Sequence, residues 1–480
     1  MEAGLAKKSG NADGVKVSTS NGSWDEKHSP YVKDGEGMAN DPTRIRQRAK
    51  NEPKLQFTSL YHHVTDIGNL RSCFKAIEPG AAPGVDGMTK NKYGEQLESN
   101  LQELADRLGR MGYRPKPVRR VEIPKVGSNK KRPLGVPTVE DKVVQMAMTR
   151  VLTEIYEADF LSCSYGYRPG QSCHDALGAL GRTIQRQKVS WVVEADIRGF
   201  FDHVNHEWLI KLLELRIGDP RMIRIIWRML KGGVMENGLV RASEEGTPQG
   251  AILSPLLSNV YLHYVLDLWF EQRFRKQCRG EAYLFRFADD FVACFQYRED
   301  ASKFLEELTT RLEKFHLEVE ASKTRLIQFG RFARQDAERK GQQPEEFDFL
   351  GFTHSCGQTR AGSFKVHRRT SMKKFRTKLK DLKRWIKARR HQTTAGPILR
   401  EAKQRLQGHL NYYAITDNYR MCESFRLQFT RLLFKWLNRR SQRRSYTWER
   451  FASVLDWVRW PSIKIHRSLD PFRRVGLNQR

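Results

Sequence analysis

Cysteine is scarce in this chain and never paired in sequence. The seven cysteines (Cys73, Cys163, Cys173, Cys278, Cys294, Cys356 and Cys422) are odd in number, and no two form a Cys-x-x-Cys pair. That spacing argues against a disulfide framework and leaves no legible zinc site. Long apolar runs are missing too, so neither a membrane-spanning helix nor a signal peptide is expected. No segment recurs at the period of a solenoid. Periodic apolar character is lacking over residues 1–50, which are rich in Gly, Ser, Asn, Asp and Lys and read as a disordered leader.

Negative charge is in shortest supply. Lys and Arg number 85 against 55 Asp and Glu, a formal charge of +30 in 480 residues, which calls for a polyanionic partner. The excess is localised: from Ala361 to Arg450 there are 25 basic residues and 5 acidic ones, two-thirds of the net charge in under a fifth of the length. A density of this kind repels itself unless phosphate lies nearby. Within it, Phe375, Leu379, Leu382, Trp385 and Ile386 recur at helical spacing, as do Leu427, Leu432, Leu433, Phe434, Trp436 and Leu437. Such stripes predict a helical bundle with a basic outer face.

The acids that remain are placed pointedly. Tyr283 to Phe295 is an apolar run reversing around Asp289-Asp290, the pattern of a strand hairpin with two carboxylates at its tip. In a chain that is 29% charged, such a tip is by itself an ordinary solvated turn. A second apolar strand, Trp191 to Asp196, also ends on a carboxylate and leads into a helical pattern from about Asn205 to Ile217. If the two elements pair in one sheet, Asp196, Asp289 and Asp290 converge at one edge, where they can hold two Mg²⁺ ions about 4 Å apart for in-line phosphoryl transfer.

Between these elements lies Gly246-Thr247-Pro248-Gln249-Gly250 followed by Ser254-Pro255, a turn running into an apolar helix. A strand-end Asp, Thr-Pro-Gln-Gly with Ser-Pro, and Phe-Ala-Asp-Asp, in that order, resemble the palm of a reverse transcriptase. Upstream, Ile123-Pro124-Lys125 and Lys131-Arg132-Pro133-Leu134-Gly135 resemble the fingers of reverse transcriptases encoded by bacterial group II introns. Downstream, Gly408-His409-Leu410-Asn411-Tyr412-Tyr413 and Arg443-Arg444-Ser445-Tyr446-Thr447-Trp448 are similar to the maturase domain of the same proteins.

The resemblance implies an α+β right-hand polymerase with a C-terminal α-helical thumb that doubles as the maturase domain. Its parts would be a leader (1–50), an N-terminal extension (51–115), fingers and palm (116–360), thumb (361–452) and a short basic tail (453–480). It further implies catalytic Asp196, Asp289 and Asp290, with metal held by these and Ile197. Lys125, Arg132, Phe201, Gln249 and Lys323 would bind the incoming nucleotide, and Arg439, Arg440, Arg443 and Arg444 the RNA. Two Mg²⁺ ions, deoxynucleoside triphosphates, a DNA target and primer, and group II intron RNA are the implied cofactors and partners. A homodimer and a cytoplasmic, nucleoid-associated location fit the same picture. Many relatives of that kind end in a His-Asn-His endonuclease with paired cysteines, and such a segment is expected to be lacking here. A defence-type or diversity-generating reverse transcriptase without splicing activity, or a splicing factor that keeps the polymerase as a scaffold, are the alternative readings.

Overall fold

A computed structural model describes residues 42–124, 131–236, 239–241, 245–247, 250–359, 361–440, 445–465 and 467–469. At its centre lies a four-stranded antiparallel sheet in the order Ala282–Phe287, Asp290–Phe295, Trp191–Asp196, Arg325–Gln328. Side chains alternate across a strand, and here both faces are buried. Leu284, Phe291, Ala293 and Phe295 enter one core with Val193 and Ala195, while Phe285, Val292 and Cys294 enter a second with Val192 and Ile327. The near-continuous apolar run around the two aspartates follows from that double burial.

The helix Val139–Asp159 is capped by Thr138, whose hydroxyl accepts from the Asp141 backbone N–H. It packs in the first core with the N-terminal helices. One of those, Pro42–Asn51, begins inside the expected leader: Ile45 and Ala49 are buried against that core, so the disordered reading fails for residues 42–50. Two apolar residues four apart give too short a stripe to stand out among so many polar ones.

A second sheet runs Lys131–Val136, Val118–Pro124, Val234–Glu236, Leu239–Arg241. A third joins Phe347–Phe349, Phe352–Gln358 and Phe364–Thr370, so the sheet continues past the boundary expected at 360 and the C-terminal bundle starts at Met372. That bundle comprises Met372–Arg389, Ala395–Tyr413, Tyr419–Leu437 and Trp448–Trp457, the last crossing the boundary expected at 452. Phe375, Leu382, Ile386, Leu433 and Trp436 are buried in its own core as the periodicity requires, but Leu427 faces out, and Cys422, Phe425 and Phe429 fill the interior instead. All seven cysteines are free thiols. No helix among the described residues is long and apolar enough to cross a membrane.

Candidate active site

Asp196 is the last residue of its strand and lies directly opposite Asp290. Residues so paired project to the same side of a sheet with β-carbons about 5 Å apart. Across the hairpin, Asp290 also pairs with Phe287, leaving Ala288 and Asp289 as a two-residue turn. Ala288 has φ +58°, a left-handed conformation that costs a non-glycine residue roughly 1–2 kcal/mol.

The strained tip is clamped from beneath by a residue that the sequence reading passed over. Arg286 is wholly buried with Asp267. Its Nε and Nη2 donate to the two Asp267 carboxylate oxygens at 2.7 and 2.6 Å, Nη1 donates to Asn259 Oδ1 and to the Ala288 carbonyl, and Nη2 also donates to Ser164 Oγ. Asp267 closes a π-helical turn, His263–Asp267, the first of two in this helical stretch; the second is Phe270–Phe274. Gly166 lies so close to the turn that a β-carbon on it would come within 2.3 Å of the Ala288 nitrogen, and its carbonyl accepts from Asn259. One signal was available: an arginine inside a strand buried on both faces needs an acidic partner.

Electrostatics tie the tip to its surroundings. Burial, then the neighbouring charges of Asp289, Asp196 and Glu194, push the Asp290 carboxyl up to about 8. Burial and Asp196 also raise Asp289, opposed by the positive charges of Arg132 and Lys323. Lys323 ion-pairs with Asp196, an attraction that raises its own pKa. Arg132 is exposed and forms no hydrogen bond or ion pair with a described residue, so its guanidinium is open to an anion. Ile197 is buried and bridges Val319 in a pattern in which Glu320 N–H donates to the Asp196 carbonyl and Arg198 N–H to that of Glu318. The Ile197 carbonyl therefore turns to the opposite side, that of Asp290.

The expected acids thus share one edge, with Lys323 and Arg132 beside them. They do not close into a ligand set: among the described residues no three His, Cys, Asp or Glu side chains are gathered tightly enough to hold a metal ion. The donor chemistry nevertheless fits a divalent cation, since hard oxygen ligands are gathered here where burial, and then their own repulsion, lifts a carboxyl pKa.

That crowding has a measurable sign. The Asp290 pKa is raised in the folded chain relative to an ordinary carboxyl. Between about pH 4 and about pH 8 the unfolded state therefore binds fewer protons, and stability falls as pH rises through that window. In EDTA the melting temperature is expected to drop over it, to drop less in Asp290→Asn, and at pH 8 to recover on adding Mg²⁺. Equal pH slopes for the two proteins would refute this account.

Phe200 and Phe201 differ in burial. Phe200 is buried, while Phe201 is half-buried and its carbonyl accepts from Thr247 N–H. Gly246 packs so tightly on Phe201 and Asp202 that a β-carbon would meet both carbonyls at 2.9 Å. The tip Leu350-Gly351 of the third sheet also reaches the site: a Leu350 backbone hydrogen bond to Asp290 offsets part of the rise in its pKa, and the Leu350 carbonyl accepts from Tyr412 Oη of the bundle. Lys125, Gln249, Arg443 and Arg444 lie outside the described residues. Arg439 is exposed with its guanidinium over the Trp436 ring, and Arg440 donates to the Thr393 carbonyl, so part of its hydrogen bonding is already used. The glycine-rich loop 79–87 packs against the chain itself. A β-carbon on Gly84 would meet the Thr138 backbone at 2.6 Å, and Lys142 and Arg119 donate to the carbonyls of Ala82 and Pro83.

Residues 123–354 match the family model described as reverse transcriptase (RNA-dependent DNA polymerase). Over 236 residues the chain is 41% identical to protein YkfC of Escherichia coli, covering 47% of this chain and 60% of that protein. Over 231 residues it is 37% identical to the group II intron-encoded protein LtrA of Lactococcus lactis, covering 47% of this chain and 38% of LtrA. A 91 kDa protein in the cob intron of Schizosaccharomyces pombe is 42% identical over 237 residues, 47% of this chain and 28% of that one. The chain thus spans less than two-thirds of each of these relatives. With two strand-end aspartates in register and a third at the adjoining tip inside it, the segment 123–354 is similar to reverse transcriptases, group II intron-encoded proteins among them.

Proposed function

We propose that this chain is an RNA-directed DNA polymerase that copies group II intron RNA into DNA and also binds that RNA as a maturase, assisting its splicing. The observation that carries the reading is the register of Asp196 against Asp290 with Asp289 at the tip, beside the exposed Arg132. In these terms the central sheet is the palm, the sheet around Arg132 belongs to the fingers, and the C-terminal bundle is the thumb.

Asp196, Asp289, Asp290 and the Ile197 carbonyl would hold two Mg²⁺ ions, which supply a lowered pKa at a primer 3′-hydroxyl and neutralise a leaving pyrophosphate. The chain's own part is positioning. Arg132 offers a planar fork to triphosphate oxygens, with Lys125 as a second, point-charge donor. Lys323, paired with Asp196, places another cation beside the same carboxylates. The Arg286 clamp holds the tip so that its acids need not reorganise during the reaction.

Phe201 would lie against the sugar of the incoming nucleotide, with Gln249 lining the same pocket. A ring there obstructs a 2′-hydroxyl, so Phe201→Ala is expected to raise ribonucleotide incorporation on the order of 10-fold. Unchanged sugar discrimination in an active variant would remove Phe201 from the pocket.

The basic bundle would carry RNA affinity while the palm carries chemistry. Replacing Arg439, Arg440, Arg443 and Arg444 by glutamine removes up to four phosphate contacts, so the slope of log K against log salt should become shallower by up to about 3 units. Arg440 should contribute least, because of its bond to Thr393. A filter-binding titration on intron RNA, run beside primer extension on a short generic template, tests the division. RNA affinity should fall well before polymerisation does; equal loss of both, or an unchanged salt slope, would refute it.

A further inference from the structure

Along the bundle lies an open groove of about 660 Å³ whose lining includes none of the described residues assigned above. One wall is the helix Ala395–Tyr413, which presents Arg400, Lys403, Gln404, Gln407 and Asn411; the other ends in Trp457. Those five positions fall on one helical face, and the opposite face, with Leu399, Ala402, Leu406 and Leu410, is buried in the bundle core. No carboxylate lines the groove.

Trp457 stands apart from the other tryptophans of the bundle. Arg405 lies over Trp385, three cations lie over Trp436, Trp448 stacks on Phe434, and Trp460 donates to Thr430 beside Phe429. Trp457 has no ring or cation partner among the described residues and is 74% exposed. Gly408 lies on the groove floor in the middle of a helix, where glycine costs roughly 0.5–1 kcal/mol relative to alanine. A β-carbon there would meet nothing within 4 Å, so internal packing does not require the glycine; its effect is to leave the backbone open to the groove.

We infer that this groove binds an unpaired stretch of RNA, with one base stacked on Trp457, its edge read by the amides of Gln404, Gln407 and Asn411, and the flanking phosphates met by Arg400 and Lys403. Exposed aromatics beside basic side chains are how single-stranded nucleic acid is held, since every base has a face to stack and every linkage a charge. The volume is that of a small-molecule site, about 300–1,000 Å³, which suits one or two nucleotides and not a duplex. The inference rests on the reading that the chain binds RNA, and it names a lining that includes neither Arg439 nor Arg440.

The test measures binding of the full chain to an unstructured RNA oligonucleotide and to an RNA duplex of equal length by fluorescence anisotropy. Trp457→Ala should weaken single-strand binding about 10-fold and leave duplex binding and the melting temperature unchanged, while Trp457→Phe keeps most of the affinity. Gly408→Leu, which fills the floor without removing a contact, should weaken the single strand alike. Arg400→Gln with Lys403→Gln should reduce the single-strand salt slope by about 1.4 units. Single-strand affinity unchanged in Trp457→Ala, or lost equally for both RNAs, overturns the groove assignment. Failure of the unaltered chain to bind either RNA would instead overturn the reading beneath it.

Discussion

Primer extension on an RNA template is expected to stop when Asp289 becomes asparagine, with a loss on the order of 10³-fold or more. Asparagine keeps the shape of the tip and removes one charge from the three carboxylates at the sheet edge. Electrostatic stabilisation by metal is worth several kcal/mol in phosphoryl transfer, and each 1.36 kcal/mol is a factor of ten in rate. Stability should not fall with activity, because burial and Asp196 already make the Asp289 charge costly in the folded chain. Circular dichroism and thermal melting beside the extension assay separate the two. Near-normal extension by Asp289→Asn at several Mg²⁺ concentrations would end the catalytic assignment and favour a polymerase fold kept as scaffold.

The second large effect belongs to Arg286. Arg286→Met should cost about 3–5 kcal/mol, because it leaves the Asp267 carboxylate buried without its partner. Adding Asp267→Leu should recover much of that stability, since a buried ion pair replaced by apolar side chains is often neutral. Activity should stay low in the double variant, where nothing donates to the Ala288 carbonyl and the left-handed turn is free to relax. Urea unfolding with parallel extension kinetics checks both halves. If the double variant regained stability and turnover together, the clamp would be a packing device without influence on the carboxylates.

The first prediction turns on residues legible in the sequence and the second on residues that were not. Strand-end acids could be found because a sheet buried on both faces leaves an uninterrupted apolar run, and a carboxylate at its end stands out. Thr138 could be read as a cap for the same local reason, and the bundle from the 3.6-residue recurrence of Phe375, Leu382 and Ile386. What escaped was set by contacts distant in sequence. Asp267 meets Arg286 across 19 residues and Ser164 meets it across 122, and no local pattern encodes such a meeting. Leu427 fits the stripe that places Leu433 inside, yet is 46% exposed, because the neighbours of a helix decide which edge of its apolar arc is covered. Gly84 likewise serves an approach to the chain's own Thr138, 54 residues on, which the glycines around it do not disclose.

The π-helical turn at His263–Asp267 makes chain length, as distinct from residue identity, a requirement of this site. Such a turn holds one residue more than the α-helix it interrupts. Inserting a further residue between His263 and Leu266 exceeds what the turn already absorbs, and would swing Asp267 by about 100° around the axis, away from Arg286. The insertion would then act as the loss of Asp267 although every side chain of the clamp was still encoded. Within this helix, tolerance to substitution gives no guide to tolerance to insertion.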